Sequence, residues 1–524
     1  MSTPSDVAAR NPVTRQVARA GALTGVGAVV SAVMGFAFTV VAGRSLGTAG
    51  AGVVFVITSL FTIATTMLKL GSDTTSVRVA ARLVALGRGR DVRSVVRRLG
   101  VPVLALTLVT AAVVIALAPE VARAALGRSV STPGAVAGVV VLALLIPAQT
   151  MTVILLALLR GLGDIRTLVL VDQVLKPTLR VVLVGAAALV VPGVLGVTVA
   201  WVLPVAAGIV VTVVILRRRL DAAEAVTPSL DPEALDAPDE SSSRALWAYT
   251  LPRAVAQALE IVSLSIGVTL VGRLAGASEA GLFGAVNRLA VAGMLVWQAV
   301  RIVISPNIAA LLTSHDVDGV RRLHQTGSGW IAALAWPGYL VLAAASPTVL
   351  RLFGDDFGAG SAALTTVAIA MLVPSLVGPA QSLVLMAGWS TLGLLVSVAA
   401  LVTNLVLIFA LVPELGAFGA AIAWGAALVV ESALYVAITR ARLGIWAVGR
   451  PALVSAAVAT VTVGLPLGVA TLSGAGEYVV VGVAALSLLA HLALLMVLRR
   501  HVHLDQFVRA LRRRGAPSSE KSPR

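Results

Sequence analysis

The stretch GRSLGTAGAG, residues 43–52, decides the fold of this chain, because its pattern returns at residues 272–281 as GRLAGASEAG. Both copies read Gly-Arg-x-x-Gly-x-x-x-x-Gly at identical spacing. Two shorter repeats follow in the same order: Pro-Ala-Gln of residues 147–149 at 379–381, and Gly-x-x-Gly-x-x-x-Ala-Trp of residues 193–201 at 416–424. A single short match carries a real risk of coincidence, but three matches in one order indicate an internal duplication.

The composition places the chain in a lipid bilayer. Hydrophobic residues make up 58% of it and charged residues 12%, whereas about 25% of the residues of soluble domains are charged. The apolar runs are continuous, and runs of about 20 residues cross the hydrocarbon core as α-helices. We predict spans near residues 22–43, 52–70, 99–118, 135–158, 167–190, 194–216, 249–272, 281–305, 329–350, 361–387, 391–413, 416–438, 451–472 and 478–498.

These spans predict an all-α polytopic membrane protein with about 14 helices. Residues 217–246 are polar and contain Pro and Ser, which is typical of a linker. An even number of spans separates the halves, so both insert in the same orientation, related by a pseudo-two-fold axis along the membrane normal. The predicted domains are a six-helix bundle (1–216), a cytoplasmic linker (217–246), a second six-helix bundle (247–440), two additional helices (441–500) and a basic cytoplasmic tail (501–524).

The positive charge of the chain is a topology signal. The formal net charge is +16, and most of the 40 Lys and Arg residues fall in segments on the side of the N-terminus. Because Lys and Arg concentrate in cytoplasmic loops, we predict both termini to be cytoplasmic and the protein to lie in the cytoplasmic (inner) membrane. The basic segments then face anionic membrane lipids, and no nucleic acid partner is expected.

Ionisable residues inside spans are costly and mark candidate functional positions. In the fifth span, Asp172, Lys176 and Arg180 recur every four residues and share one helical face. This pattern is consistent with an internal ion pair between Asp172 and Lys176 and equally with a role of these residues in binding.

The seventh and eighth spans carry further polar stripes. Arg253 and Arg301 lie near the predicted cytoplasmic ends of these spans, where the planar guanidinium groups would together bind a diphosphate. Extension of both side chains to the membrane surface is the alternative. Arg288 is turned away from the stripe of its helix by about 100° and is assigned to packing or to an interface. The polar residues that share the stripes of Arg253 and Arg301 are Gln257, Glu260 and Gln298.

Catalytic and cofactor chemistry find no support in the sequence. It contains no cysteine, no Gly-x-x-x-x-Gly-Lys-Ser/Thr stretch and no His-Glu-x-x-His stretch, which are the motifs of thiolate, P-loop and zinc chemistry. We predict no enzyme activity, no catalytic residue, no metal and no cofactor. Glu431 and His491 stand alone in their spans and are expected to be buried residues with satisfied hydrogen bonds, as are Gln149 and Gln381.

The order of several short stretches resembles the polysaccharide biosynthesis exporters and lipid-linked oligosaccharide flippases of the multidrug/oligosaccharidyl-lipid/polysaccharide superfamily. The resemblance implies a V-shaped pair of bundles whose cavity is lined by spans one, two, seven and eight, and alternating access to the two leaflets. The stretches that carry it are residues 43–47, 159–163, 351–354 with Phe357, 378–383, Asn404 and 416–424.

The expected function is therefore that of a flippase for a polyprenyl-diphosphate-linked saccharide in cell-surface polysaccharide synthesis. Arg253 and Arg301 would bind the diphosphate, supported by Lys176 and Arg180, with Glu260 orienting Arg253. The expected partners are the lipid-linked anionic saccharide, membrane lipids, and a polysaccharide polymerase or glycosyltransferases. A peptidoglycan lipid-precursor flippase, an ion-coupled multidrug exporter and a transport-silent scaffold for polysaccharide enzymes are the alternatives.

Overall fold

The chain is helical in the part that a computed structural model describes, residues 12–224 and 243–497. Within these ranges, the side chains of residues 12–22, 85, 223–224 and 306, and of several positions between 243 and 264, lie outside the description. No strand occurs among the described residues. In that part, 11 helices are long and apolar enough to cross a membrane. The predicted all-α membrane fold is confirmed.

The helices are labelled in chain order. The first half contains α1 (Pro12–Leu68), α2 (Ser72–Ala85), α3 (Val92–Ala116), α4 (Ala118–Leu126), α5 (Ala135–Gly161), α6 (Ile165–Val190) and α7 (Val194–Glu224). The second half contains α8 (Ser243–Leu274), α9 (Ala277–Ala292), α10 (Met294–Thr313), α11 (Val317–Ala344), α12 (Ser346–Arg351), α13 (Ser361–Val377), α14 (Ala380–Met386) and α15 (Ser390–Leu443). The C-terminal helices are α16 (Arg450–Leu472) and α17 (Glu477–Val497).

Two of the long helices are each a pair of helices joined at a glycine. Gly47 in α1 has φ 65° and ψ −175°, and Gly416 in α15 has φ 53° and ψ −132°. Glycine adopts such angles because it has no Cβ atom. Gly47 lies between the predicted spans 22–43 and 52–70, and Gly416 is the first residue of the predicted span 416–438. The total number of spans stays a prediction, because the side chains of α8 are described only in part.

The helices end on two sides of the molecule. We name the side that holds the turn at Gly47 the Gly47 side, and the opposite side, where α1 leads into α2, the Lys69 side. The predicted linker begins inside α7, which continues to Glu224, and residues 225–242 of it lie outside the described residues. The domain boundaries therefore stay predictions.

The duplicated motif is where the two halves contact each other on the Gly47 side. A Cβ atom built on Gly52 would overlap the carbonyl oxygen of Ala277, and one built on Gly281 would overlap that of Thr48. These pairs occupy equivalent positions in the two copies of the motif. The backbones of α1 and α9 thus approach each other reciprocally, and the missing Cβ atoms allow this approach.

Hydrogen bonds across the halves reinforce this contact. The hydroxyl oxygens of Thr48 and Ser278 lie 2.8 Å apart. The backbone N–H of Ala277 donates to Ser129 Oγ at 2.9 Å. Arg44 Nε donates to the carbonyl oxygen of Leu352 at 2.9 Å. One continuous cluster of buried hydrophobic residues also extends through both halves, so the Gly47 side is closed in this structure.

The C-terminal helices are attached to the second half through a buried histidine. His491 of α17 is 1% exposed, and one of its ring nitrogens, Nδ1, lies 3.0 Å from Thr462 Oγ1 of α16. The other ring nitrogen, Nε2, lies 3.0 Å from the carbonyl oxygen of Ala333 in α11. Both nitrogens have partners, as the sequence analysis expected, and the contacts bind three helices together.

Candidate anion-binding cavity

A polar cavity of about 280 Å³ lies among the helices of the first half. Its charged lining consists of Lys69, Lys176 and Arg180 against the carboxylate of Asp172. Charges at this depth are retained where a partner or a ligand compensates them, so a surplus of cations favours an anionic ligand. The other lining residues are Ser31, Phe61, Thr62, Thr65, Thr66, Gln149, Val153, Pro177 and Trp201.

Threonine hydroxyls of α1 form one wall of the cavity. Thr62 Oγ1 donates to the carbonyl oxygen of Thr58 at 2.8 Å, and Thr65 Oγ1 donates to that of Phe61 at 2.8 Å. Because these bonds use the hydroxyl hydrogens, the oxygen lone pairs remain to accept hydrogen bonds from a ligand. Donors to an anion must therefore come from the basic residues and from the other polar groups of the lining, the hydroxyls of Ser31 and Thr66 and the amide nitrogen of Gln149.

A π-helical segment of α6, Val169–Leu175, carries the acidic member of the charged wall. Pro177 has no backbone N–H, so residue 173 cannot receive the usual α-helical hydrogen bond. The backbone N–H of Lys176 donates to the carbonyl oxygen of Val171, which is the five-residue spacing of a π-helix. Such segments occur frequently at functional sites, and this one presents Asp172 to the cavity.

Lys176 is the most deeply buried cation of the cavity. The residue is 2% exposed, and its Nζ lies 2.5 Å from Asp172 Oδ1. Nζ also donates to Gln149 Oε1 of α5 at 3.3 Å. The pair between Lys176 and Asp172 therefore exists, and Gln149, which the sequence analysis assigned to the packed interior, contributes to the cavity.

Arg180 is held by α7. Its guanidinium carbon lies 4.1 Å from the ring centroid of Trp201, and its Nε donates to the carbonyl oxygen of the same residue at 3.0 Å. The ring of Trp201 packs edge-on against Phe61, with the centroids 5.7 Å apart. The Trp201 ring and carbonyl thus fix the position of this guanidinium group, and its charge is within electrostatic range of Asp172.

Arg288 of α9 extends toward the same cations from the second half. A Cβ atom built on Gly35 of α1 would lie 3.7 Å from Arg288 Nη1, and the charge of Arg288 acts on Arg180. The residue is exposed and makes no hydrogen bond or ion pair with any described residue. Packing between the halves directs its side chain toward α1, and its assignment to packing or to an interface stays a prediction.

On the Lys69 side, polar contacts join α2 to α8. The hydroxyl oxygens of Thr75 and Thr250 lie 2.7 Å apart. Gln257 Nε2 donates to Asp73 Oδ1 at 3.3 Å, and Asp73 also forms an ion pair with Lys69 at 2.8 Å. Gln257, predicted to bind substrate, therefore lies at a contact between the halves, beside a cation of the cavity.

The remaining predicted site residues belong to the second half. Gln298 and Arg301 lie on α10 and are exposed. The side chains of Arg253 and Glu260 lie outside the described residues, so the predicted contact between them stays a prediction. Among the described residues, no group of His, Cys, Asp and Glu has the arrangement of a metal site.

A sequence model of the family described as polysaccharide biosynthesis protein matches residues 17–311. The chain belongs to this family. The match includes the cavity residues Asp172, Lys176 and Arg180, and it also includes Arg288. No curated protein matches this polysaccharide biosynthesis protein in sequence.

Solved structures of the same fold are transporters and flippases. The lipid II flippase MurJ, in an inward closed conformation, is 10% identical with a TM-score of 0.68, over 91% of this chain and 98% of that one. A multidrug resistance MATE family transporter of the MOP superfamily, inward-facing, is 16% identical with a TM-score of 0.60, over 79% and 94%. A MOP superfamily transporter from Pyrococcus furiosus, described by the reverse polarity of its binding pocket, is 16% identical with a TM-score of 0.50, over 85% and 99%. The predicted resemblance to polysaccharide biosynthesis proteins is confirmed by the family match, and these structures show the same fold.

Sequence reasoning missed several residues of the cavity. Thr65 and Thr66 follow Thr62 by three and four residues, which places their hydroxyls on one helical face, and this signal could have found the threonine wall. Gln149 carries no such local signal, because it reaches the cavity only through the packing of its helix.

Proposed function

We propose that this polysaccharide biosynthesis protein is a flippase that moves a lipid-linked saccharide with an anionic diphosphate across the membrane. The observation that carries the proposal is a cavity lined by cations together with the guanidinium group of Arg288, whose charge acts on Arg180 and which has no hydrogen bond or ion pair with any described residue. Guanidinium groups bind phosphate oxygens through charge-assisted, bidentate hydrogen bonds. The structural relatives named as flippases and transporters support a transport function of this kind.

The diphosphate binds between Arg180 and Arg288 in this proposal, with Lys176 supporting. These residues come from both halves, so relative movement of the halves changes the site. The contacts between the halves close the Gly47 side, and this closure supports alternating access, with the head group entering from the Lys69 side. Roles of Arg253, Arg301, Gln257, Gln298 and Glu260 in binding stay predictions.

The Lys69 side is cytoplasmic in this proposal, because basic residues concentrate in cytoplasmic loops and α2 with its flanking residues is rich in arginine. The protein then lies in the cytoplasmic membrane with both termini inside. A polymerase or a glycosyltransferase as a partner is a further prediction. No step of the proposed transport requires catalysis by this chain.

The test uses cells whose surface polysaccharide depends on this protein. In the variants Arg180→Gln and Arg288→Gln, each lost charged hydrogen bond costs about 1.5–3 kcal/mol, which corresponds to roughly a tenfold to hundredfold loss of head-group affinity. We expect the lipid-linked saccharide to accumulate on the cytoplasmic face of the membrane. The chemical identity of the accumulating lipid also distinguishes a polysaccharide precursor from a peptidoglycan precursor.

The matched control is Arg123→Gln. Arg123 is an exposed arginine of the Gly47 side that forms an ion pair with Glu120 at 3.0 Å, and we expect its replacement to leave precursor levels unchanged. Normal precursor turnover in the double variant of Arg180 and Arg288, at normal protein levels in the membrane, would reject the proposed function.

A further inference from the structure

The ion pair between Asp172 and Lys176 is asymmetric. The side chain of Lys176 is 3% exposed, whereas that of Asp172 is 38% exposed. Burial and the hydrogen bond to Gln149 fix the ammonium group, while the carboxylate faces the open space of the cavity. Asp172 is therefore the partner whose side chain can rotate out of the ion pair without displacing a packed neighbour.

Asp172 is also close to the second cation of the cavity. Asp172 pairs with Lys176 and lies within electrostatic range of Arg180, which is also within range of Arg288. One carboxylate therefore compensates part of the charge of both Lys176 and Arg180. Lys69, the remaining cation of the lining, has its own carboxylate partner in Asp73. Asp172 is the carboxylate of the cavity lining that faces Lys176 and Arg180.

We propose that Asp172 is a resident counter-anion that occupies, in the empty transporter, the place taken by one phosphate group of the substrate. Binding of the diphosphate transfers Lys176 and Arg180 from the carboxylate to phosphate oxygens, and Asp172 turns away from the two cations. Re-pairing of Asp172 accompanies release. This inference rests on the proposed function, since it assigns a role in binding and release at the same site.

The physical reason is the cost of uncompensated charge. An ion pair in a low-dielectric interior that loses one partner leaves a buried charge, which is strongly unfavourable. Without Asp172, departure of the substrate would leave Lys176 and Arg180 without an anion at the depth of the membrane helices. The carboxylate therefore stabilises the empty state, weakens net binding of the substrate, and speeds its release.

The same exchange makes Asp172 a specificity-determining residue. An incoming anion must compensate the cations better than the carboxylate that it displaces. A singly charged anion gains little by this exchange, whereas a diphosphate brings more charge and more acceptor oxygens. Discrimination thus arises from competition with a group of the protein itself.

The test measures binding to the purified full-length protein, with inorganic pyrophosphate and inorganic phosphate as probes. For Asp172→Asn, which keeps the shape and removes the charge, we expect pyrophosphate to bind about tenfold more tightly. Phosphate affinity should gain by a larger factor than pyrophosphate affinity, so the preference for pyrophosphate falls. In reconstituted vesicles, we expect the same variant to move a lipid-linked diphosphate about tenfold more slowly, because release is slowed. Asp172→Glu keeps the charge and should retain the preference for pyrophosphate.

The outcomes separate the two proposals. Pyrophosphate binding that is unchanged or weaker in Asp172→Asn, together with weaker binding in Arg180→Gln, would overturn the counter-anion role and leave the proposed function intact. Binding that is insensitive to Arg180→Gln would count against the proposed function itself. A lower unfolding temperature of Asp172→Asn that the added variant Lys176→Gln restores, with no gain in pyrophosphate affinity in either variant, would assign Asp172 to structure alone and also overturn the inference.

Discussion

Replacement of the duplicated glycines should open the Gly47 side. In the structure, a Cβ atom on Gly281 would overlap the carbonyl oxygen of Thr48, whereas ordinary contacts of a Cβ atom lie at 3.4–4 Å. The neighbouring atom belongs to the backbone and cannot rotate away. The variant Gly281→Ala therefore forces α1 and α9 apart, and Gly52→Ala does the same at the equivalent position of the other copy.

The size of the effect follows from two contributions. Overpacking of a close contact costs about 1–3 kcal/mol, and loss of the hydrogen bond between Thr48 and Ser278, which are 2.8 Å apart, costs about 1 kcal/mol more. A total of about 2–4 kcal/mol shifts the ratio of closed to open molecules by roughly 30-fold to 1,000-fold. The penalty falls on the state that is closed on the Gly47 side, so the open state gains population.

Thiol labelling measures this change in population directly, because the chain contains no cysteine and an introduced cysteine is then the single labelled position. The reporter is Ser31→Cys, a position that lines the cavity, labelled by a membrane-impermeant reagent added on the Gly47 side. We expect labelling to accelerate at least tenfold in Gly281→Ala, as the shift in population requires. The matched control is Gly185→Ala in α6, where nothing lies within 4 Å of the added Cβ atom. Labelling of the folded Gly281→Ala variant at the control rate would refute the assignment of this contact as a gate.

Four further outcomes are expected. A disulfide between Thr48→Cys and Ser278→Cys should stop transport until a reductant restores it, because the two hydroxyl oxygens lie 2.8 Å apart, and either single variant is the control. Gln257→Ala removes a hydrogen bond between the halves worth about 1 kcal/mol, so the thiol reporter should react roughly fivefold faster from the Lys69 side, and an unchanged rate would contradict this role. His491→Phe should lower the free energy of unfolding by about 2–3 kcal/mol through two lost buried hydrogen bonds, measured by thermal unfolding in detergent, while transport at low temperature persists. Deletion of residues 505–524 should leave most transport intact, whereas a scaffold that recruits enzymes through its basic tail would fail.

Much of the membrane architecture could be predicted from local sequence. Apolar runs set the spans, and the interruptions at Gly47 and Gly416 coincide with a predicted loop and with the start of a predicted span, because a helix ends where only glycine tolerates the backbone angles. The spacing of Asp172 and Lys176 predicted that they share one helical face, with an internal pair as one of two open interpretations, for a similar reason. Residues four apart on a helix are neighbours in any tertiary structure.

The cavity needed contacts between helices that are distant in sequence. Gln149 reaches Lys176 from another helix, and Trp201 positions Arg180 from a third. Arg288 was assigned to packing or to an interface because its own helix turns it away from the polar stripe, and only the approach of α9 to α1 shows that its charge acts on Arg180. Helical periodicity predicts the face of the helix on which a side chain lies, but it does not predict which other helix packs against that face.

The sequence by itself determined that the chain is a duplicated helical membrane protein with a surplus of basic residues, since span length, hydropathy and repeat spacing are properties of chain neighbours. Tertiary structure decided which basic residues meet, and that Gly52 and Gly281 face carbonyl oxygens of the opposite half. The physical reason is that a cavity and a gate are defined by the separation of helices, and this separation depends on how side chains from both halves pack together.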